Sequence, residues 1–84
     1  MFTIILGPGA KKFLRNANKE LQKRILGEIK KLSGGPKPYG SIKVLGEENL
    51  YRFRIGKYRV LYEIYYEEEI ILIAKIDKRD KVYD

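Results

Sequence analysis

The sequence contains no cysteine, no histidine and no tryptophan. Without cysteine there is no disulfide framework and no thiolate nucleophile. Without histidine the usual general acid–base is missing, and the lack of both removes the usual zinc ligands. Long apolar runs are absent too. The stretch Phe2 to Leu6 stops at Gly7-Pro8, has no leading basic segment, and is too short for a signal peptide or membrane span. A cytoplasmic protein that does not use a membrane is therefore expected. Acidic side chains are scarce in the first half: residues 1–46 hold ten lysines and arginines against Glu20 and Glu28 alone.

The chain is 84 residues long and 44% hydrophobic, which suits one small globular domain over residues 1–84 and is too little for two. Its net charge is +7 and its pI near 9.7, which calls for an acidic partner. Nucleic acid or an acidic protein suits this better than a membrane surface, because the apolar helix face is needed inside. Residues 47–84 balance eight basic side chains against nine acids, yet carry four of the six arginines. The first half thus supplies general positive charge and the second places arginine selectively. Abundant Lys, Glu, Ile and Tyr beside few amides is a composition expected of a thermophile's protein.

Phe2 to Leu6 predicts a short buried strand. Pro8 suits the first turn of a helix, where its missing N–H would have no partner. Ala10, Phe13, Leu14 and Ala17 give that short helix an apolar stripe. Asn16 or Asn18 is placed to cap a second helix. In the latter, Leu21, Ile25, Ile29 and Leu32 recur at helical spacing, with Lys19, Lys23, Lys30 and Lys31 outside, until Gly34-Gly35-Pro36 breaks the pattern. Beyond the loop the period falls to two. Strands are expected at Ile42 to Leu45, Leu50 to Ile55 and Tyr58 to Tyr65. The nearly continuous apolar run Ile70 to Ile76 predicts a central strand covered on both faces. The fold class expected is α+β: an N-terminal strand, a helical hairpin and a run of four antiparallel strands, forming one mostly antiparallel sheet with two helices on one face.

Gly56-Lys57 matches the two-residue loop of a type II′ hairpin. Pairing outward from it sets Ile55 against Tyr58, Arg54 against Arg59, Phe53 against Val60, Arg52 against Leu61 and Tyr51 against Tyr62. Alternation then gives Tyr51, Phe53, Ile55, Tyr58, Val60 and Tyr62 one apolar face, and Arg52, Arg54 and Arg59 the other. Like charges directly opposite each other destabilise a hairpin by up to about 1 kcal/mol. On pattern alone, an anion-binding face and an ordinary solvated face neutralised by Glu63 or Glu67 to Glu69 stand level. The tail tips the balance: Lys78-Arg79-Asp80 follows the last strand at the rim of the same sheet, and Tyr83 comes four residues after Arg79. Arginine forks hold phosphate oxygens bidentately and a tyrosine stacks on a base, so RNA is the ligand that fits.

The segment Leu50-Tyr51-Arg52-Phe53-Arg54-Ile55-Gly56-Lys57-Tyr58-Arg59-Val60-Leu61-Tyr62 resembles the characteristic "YRIRxGxYRVxY" pattern of RelE-type toxins in the RelE/ParE superfamily. The ending Lys78-Arg79-Asp80-Lys81-Val82-Tyr83 is similar to their "R…VY" close, so the likeness spans the chain. It implies a ribosome-dependent endoribonuclease of a type II toxin–antitoxin system, acting on mRNA without metal or cofactor and neutralised by a RelB-type antitoxin in a heterodimer or heterotetramer. By position, Arg52 and Arg54 match basic residues lining the cleavage site, and Arg59 matches the arginine that stabilises the phosphorane-like transition state. Arg79 matches a second catalytic arginine near the leaving oxygen, and Tyr83 the tyrosine that orients the RNA. Lys57, Lys78 and Lys81 join Arg52 and Arg54 as expected RNA contacts. Where many relatives have lysines, this chain has Arg52 and Arg54, and Lys78 stands where many have histidine. The proton acceptor stays open among Glu63, Asp80, a tyrosinate, a lysine of lowered pKa and the ribosome. Two other functions share the pattern: a ParE-like gyrase inhibitor and a non-catalytic RNA-binding module.

Overall fold

A computed structural model of the chain describes residues 1–38 and 40–78. Its elements follow the predicted order: β1 (Thr3–Leu6), α1 (Pro8–Arg15), α2 (Lys19–Lys30) with a 3-10 turn at Lys31–Ser33, then β2 (Ile42–Lys43), β3 (Leu50–Ile55), β4 (Tyr58–Tyr65) and β5 (Ile70–Lys78). The strands form one five-stranded sheet in the order β1-β5-β4-β3-β2. Among the described residues, β1 alone runs parallel to its neighbour, β5; the other pairings are antiparallel.

Both helices lie on one face. Ala10 and Leu14 from α1, Ile25 and Ile29 from α2, and Leu32 pack against Phe53, Ile55, Val60, Tyr62, Ile64, Ile71, Ile73 and Ile76 of the sheet. Local chemistry fixes the helix ends. Pro8 sits in the first turn of α1, and Asn18 caps α2 by accepting a 2.8 Å hydrogen bond from the Leu21 N–H. Asn16 instead closes the C-terminal end of α1, donating its N–H to carbonyls of the last turn.

Three strands differ from expectation. β1 is the outer strand beside β5, so it is only half-buried and leaves Ile5 exposed. β2 ends at Lys43 rather than Leu45, because a turn begins at Val44: the Glu47 N–H bonds back to the Val44 carbonyl at 3.2 Å and Gly46 takes φ 82°. That turn lifts Leu45 out of the sheet, 96% exposed. β5 is interior to the sheet, yet its apolar run is fully buried only on the helix side. Ile71 and Ile73 are buried there, whereas Ile70 and Leu72 on the opposite face remain half-exposed. Among the described residues no helix covers that opposite face, and the arginines lie on it.

Candidate functional site

The β3–β4 hairpin has the predicted register throughout: Ile55 faces Tyr58, Arg54 faces Arg59, Phe53 faces Val60, Arg52 faces Leu61 and Tyr51 faces Tyr62. Gly56 has φ 60° and Lys57 is not among the positive-φ residues, as a type II′ turn requires. Phe53, Ile55, Val60 and Tyr62 point into the core, so alternation sends Arg52, Arg54 and Arg59 to the face without helices. β2 extends that face, for Ile42 pairs with Arg52. Arg52, Arg54 and Arg59, with Phe53, Ile42 and Gly40, line a cleft of about 390 Å³. Gly40 has φ 89°, a backbone conformation that glycine adopts without strain.

The acid beside this cluster is one the hairpin does not contain. β5 pairs with β4 through a register shift: Leu61 faces Lys75, but Tyr62 faces Ile73, leaving Ala74 as a bulged residue. The bulge reverses the alternation of β5. Ile71 and Ile73 point inward before it and Ile76 after it, so Lys75 and Asp77 emerge on the arginine face. Asp77 then pairs across from Arg59, with Oδ1 3.7 Å from Arg59 Nε, and Lys75 Nζ lies 3.7 Å from Asp77 Oδ2. The row across the sheet reads Arg54, Arg59, Asp77. Asp77 gave no signal in the hairpin pattern; because Ile70 to Ala74 is apolar at every position, the shift leaves its first mark in the sequence only at Lys75 and Ile76.

The other expected contacts separate. Lys57 lines a different hollow, of about 820 Å³, with Asn18, Glu20, Leu21, Arg24, Gly56 and Tyr58. Lys78 pairs with Tyr58 and so belongs to the helix-side row of β5, again because of the bulge. Arg79, Asp80, Lys81 and Tyr83 lie outside the described residues. Among the described residues, no three acidic side chains gather as metal ligands.

Candidate proton acceptors also sort by place and by pKa. Glu63 is four residues along β4 from Arg59, roughly 13 Å away in an extended strand, and accepts a hydrogen bond from the Tyr65 hydroxyl. That bond pushes the Tyr65 phenol up, away from tyrosinate. Burial pushes Tyr62 up to about 12. Lys37, whose Nζ sits 5.1 Å from the centre of the Tyr51 ring and 5.9 Å from that of Tyr66, is raised by its interactions with these two tyrosines. These shifts oppose the tyrosinate and lowered-lysine options at Tyr62, Tyr65 and Lys37.

A family model described as the ParE toxin of type II toxin–antitoxin systems (parDE) matches residues 4–83. A toxin named RelE1 from Methanocaldococcus jannaschii is 34% identical to this chain, covering 79% of it and 93% of the relative. The archaeal RelE–RelB complex from Pyrococcus horikoshii OT3 contains a chain that superposes with a TM-score of 0.82 at 28% identity, covering 96% of this chain and 98% of that one. The isolated E. coli RelE toxin superposes with a TM-score of 0.80 at 15% identity, over 93% of this chain and 84% of its own, a likeness of fold.

Proposed function

The chain belongs to the ParE toxin family of type II toxin–antitoxin systems, within the RelE/ParE superfamily, and we propose that it acts as a RelE-type nuclease cutting translated mRNA on the ribosome. The observation that carries this is the convergence of Arg52, Arg54 and Arg59 on one cleft of the sheet face that no described helix covers. A fold maintained only for stability gains nothing from placing Arg54 across from Arg59. A phosphodiester passing through a more highly charged transition state gains from both.

In the proposed reaction the 2′-hydroxyl of one nucleotide attacks the adjacent phosphorus and gives up its proton. A bond from the 2′-oxygen to phosphorus forms, the bond to the 5′-oxygen breaks, and that oxygen takes up a proton. The products are a 2′,3′-cyclic phosphate and a free 5′-hydroxyl. Arg59 stabilises the developing dianion, with Arg52 and Arg54 gripping the strand. Preorganised positive charge of this kind contributes on the order of 3 kcal/mol per donor to the transition state. Arg79 is assigned the leaving oxygen and Tyr83 the orientation of the RNA, both by resemblance. Arginine itself is a poor base, its pKa being above about 12, so the proton goes to another group of the chain or to the ribosome.

The proposal includes a RelB-type antitoxin. Solved relatives from Pyrococcus horikoshii and Mycobacterium tuberculosis are toxin–antitoxin complexes. Lys19, Lys23 and Lys30 are exposed along α2, a basic strip suited to acidic side chains of such a partner. Gyrase inhibition is the second reading, favoured by the ParE description of the matching family model.

Primer extension on an mRNA in a purified translation system, with and without ribosomes, tests the proposal beside a gyrase supercoiling assay. Cuts that appear only with ribosomes and leave a cyclic phosphate are expected. Intact mRNA together with blocked supercoiling would replace the nuclease with the gyrase reading.

A further inference from the structure

We propose that Asp77 is a positioning residue for Arg59, delivered to the arginine face by the bulge at Ala74; its role in cleavage rests on the nuclease reading above. Arg59 stands on an open sheet face, yet its side chain is only 11% exposed and that of Asp77 23%. A guanidinium so withdrawn from water needs an anion close by. Asp77 supplies one from the neighbouring strand at 3.7 Å, a charge contact longer than a hydrogen bond. Lys75 holds the other carboxylate oxygen at 3.7 Å, so Asp77 is braced from both sides. The carboxylate approaches Nε, the guanidinium corner nearest the backbone. Charge placed there fixes the direction in which the planar fork points.

The backbone shows how this placement arises. With unbroken alternation from Ile71 and Ile73, residue 77 would face the helices. The bulge at Ala74 alters that, and the start of α1 is fitted around it: the Gly7 N–H bonds to the Ile73 carbonyl at 2.8 Å, and a Cβ on Gly9 would come 3.2 Å from the Ala74 carbonyl. The sheet thus places one acid beside a cleft of three arginines. Such an acid opposes RNA binding by its charge while it aligns Arg59. These two effects have opposite signs in experiment, whereas a merely structural residue would weaken both binding and cleavage.

The test compares wild type, Asp77→Asn, Arg59→Ala and the double variant on ribosome-bound mRNA, with kcat and KM measured separately. Asp77→Asn is expected to lower kcat on the order of 10- to 100-fold while KM falls or stays unchanged. The double variant should be no slower than Arg59→Ala alone, since Asp77 acts through Arg59. Wild-type kcat in Asp77→Asn, or losses that multiply as they would for an independent base, would overturn the proposal. An arm independent of activity reads the Arg59 Nε–H signal by nitrogen-15 NMR. A rigid Nε–H, read from its relaxation, is expected in the wild type and a mobile one in Asp77→Asn; a mobile one in the wild type would overturn the positioning role outright. If the wild type cuts no RNA, the nuclease reading fails on its own, and the NMR arm still decides whether Asp77 holds Arg59.

Discussion

At Tyr62, burial and hydrogen bonding combine in one side chain. The ring lies fully inside the core and packs edge-on against Phe53, while the hydroxyl donates a 2.7 Å bond to the Pro36 carbonyl. That bond fastens the Pro/Gly loop, which leads to Gly40 at the arginine cleft, onto the sheet. Burial raises the phenol from 10.0 to about 12. A raised folded-state pKa means that the stabilisation is fully present below the unfolded value and lost as pH climbs through the folded one. Wild type should therefore lose on the order of 2–3 kcal/mol between pH about 10 and 12 from this group. Tyr62→Phe should cost about 1 kcal/mol at neutral pH through the lost hydrogen bond and should lack that part of the alkaline decline. Denaturant unfolding of both proteins at pH 8, 10 and 12 checks this, and identical alkaline declines would contradict it.

At the scale of elements, the β3–β4 hairpin sets the site through its turn. Gly56 has φ 60°, and a Cβ there would run into the Arg24 guanidinium from α2. Gly56→Ala should therefore destabilise the fold by about 1–2 kcal/mol through left-handed strain, the exposed Arg24 side chain swinging aside at little cost. Urea unfolding measures the loss, and an unchanged midpoint would show that the turn relaxes freely. This hairpin was legible from sequence because a glycine-led two-residue turn and strict alternation specify the register together. α2 was legible for a similar reason, its four apolar residues at helical spacing ending in Gly34-Gly35-Pro36. The bulge in β5 was not. Ile70 to Ala74 is apolar at every position, so it carries no parity, and a one-residue shift within it leaves no mark until Lys75 and Ile76. Asp77 and Lys78 consequently sit on the opposite faces from those that uninterrupted alternation would give them. The C-terminal end of β2 escaped as well, because Val44 and Leu45 look like strand residues and the turn at Gly46 decides otherwise. Of the expected site, Arg52, Arg54 and Arg59 meet at one cleft, whereas Lys57 lines another hollow beside Arg24.

At the scale of the molecule, the described residues form two layers that leave one sheet face without helices, and the charge is distributed in keeping with that. Lysines predominate along the outside of the helices, and Arg52, Arg54 and Arg59 gather on the opposite face of the sheet, where planar bidentate forks suit phosphate. On the proposed reading, this sheet face carries out the cleavage. The direct measurement is the rate of mRNA cleavage on programmed ribosomes by wild type and by Arg59→Ala, with circular dichroism confirming that both are folded. Wild type should cut, and Arg59→Ala should be slower by roughly 100- to 1000-fold, the usual loss for one transition-state donor. Equal rates for the two proteins, or uncut mRNA with the wild type, would contradict the claim.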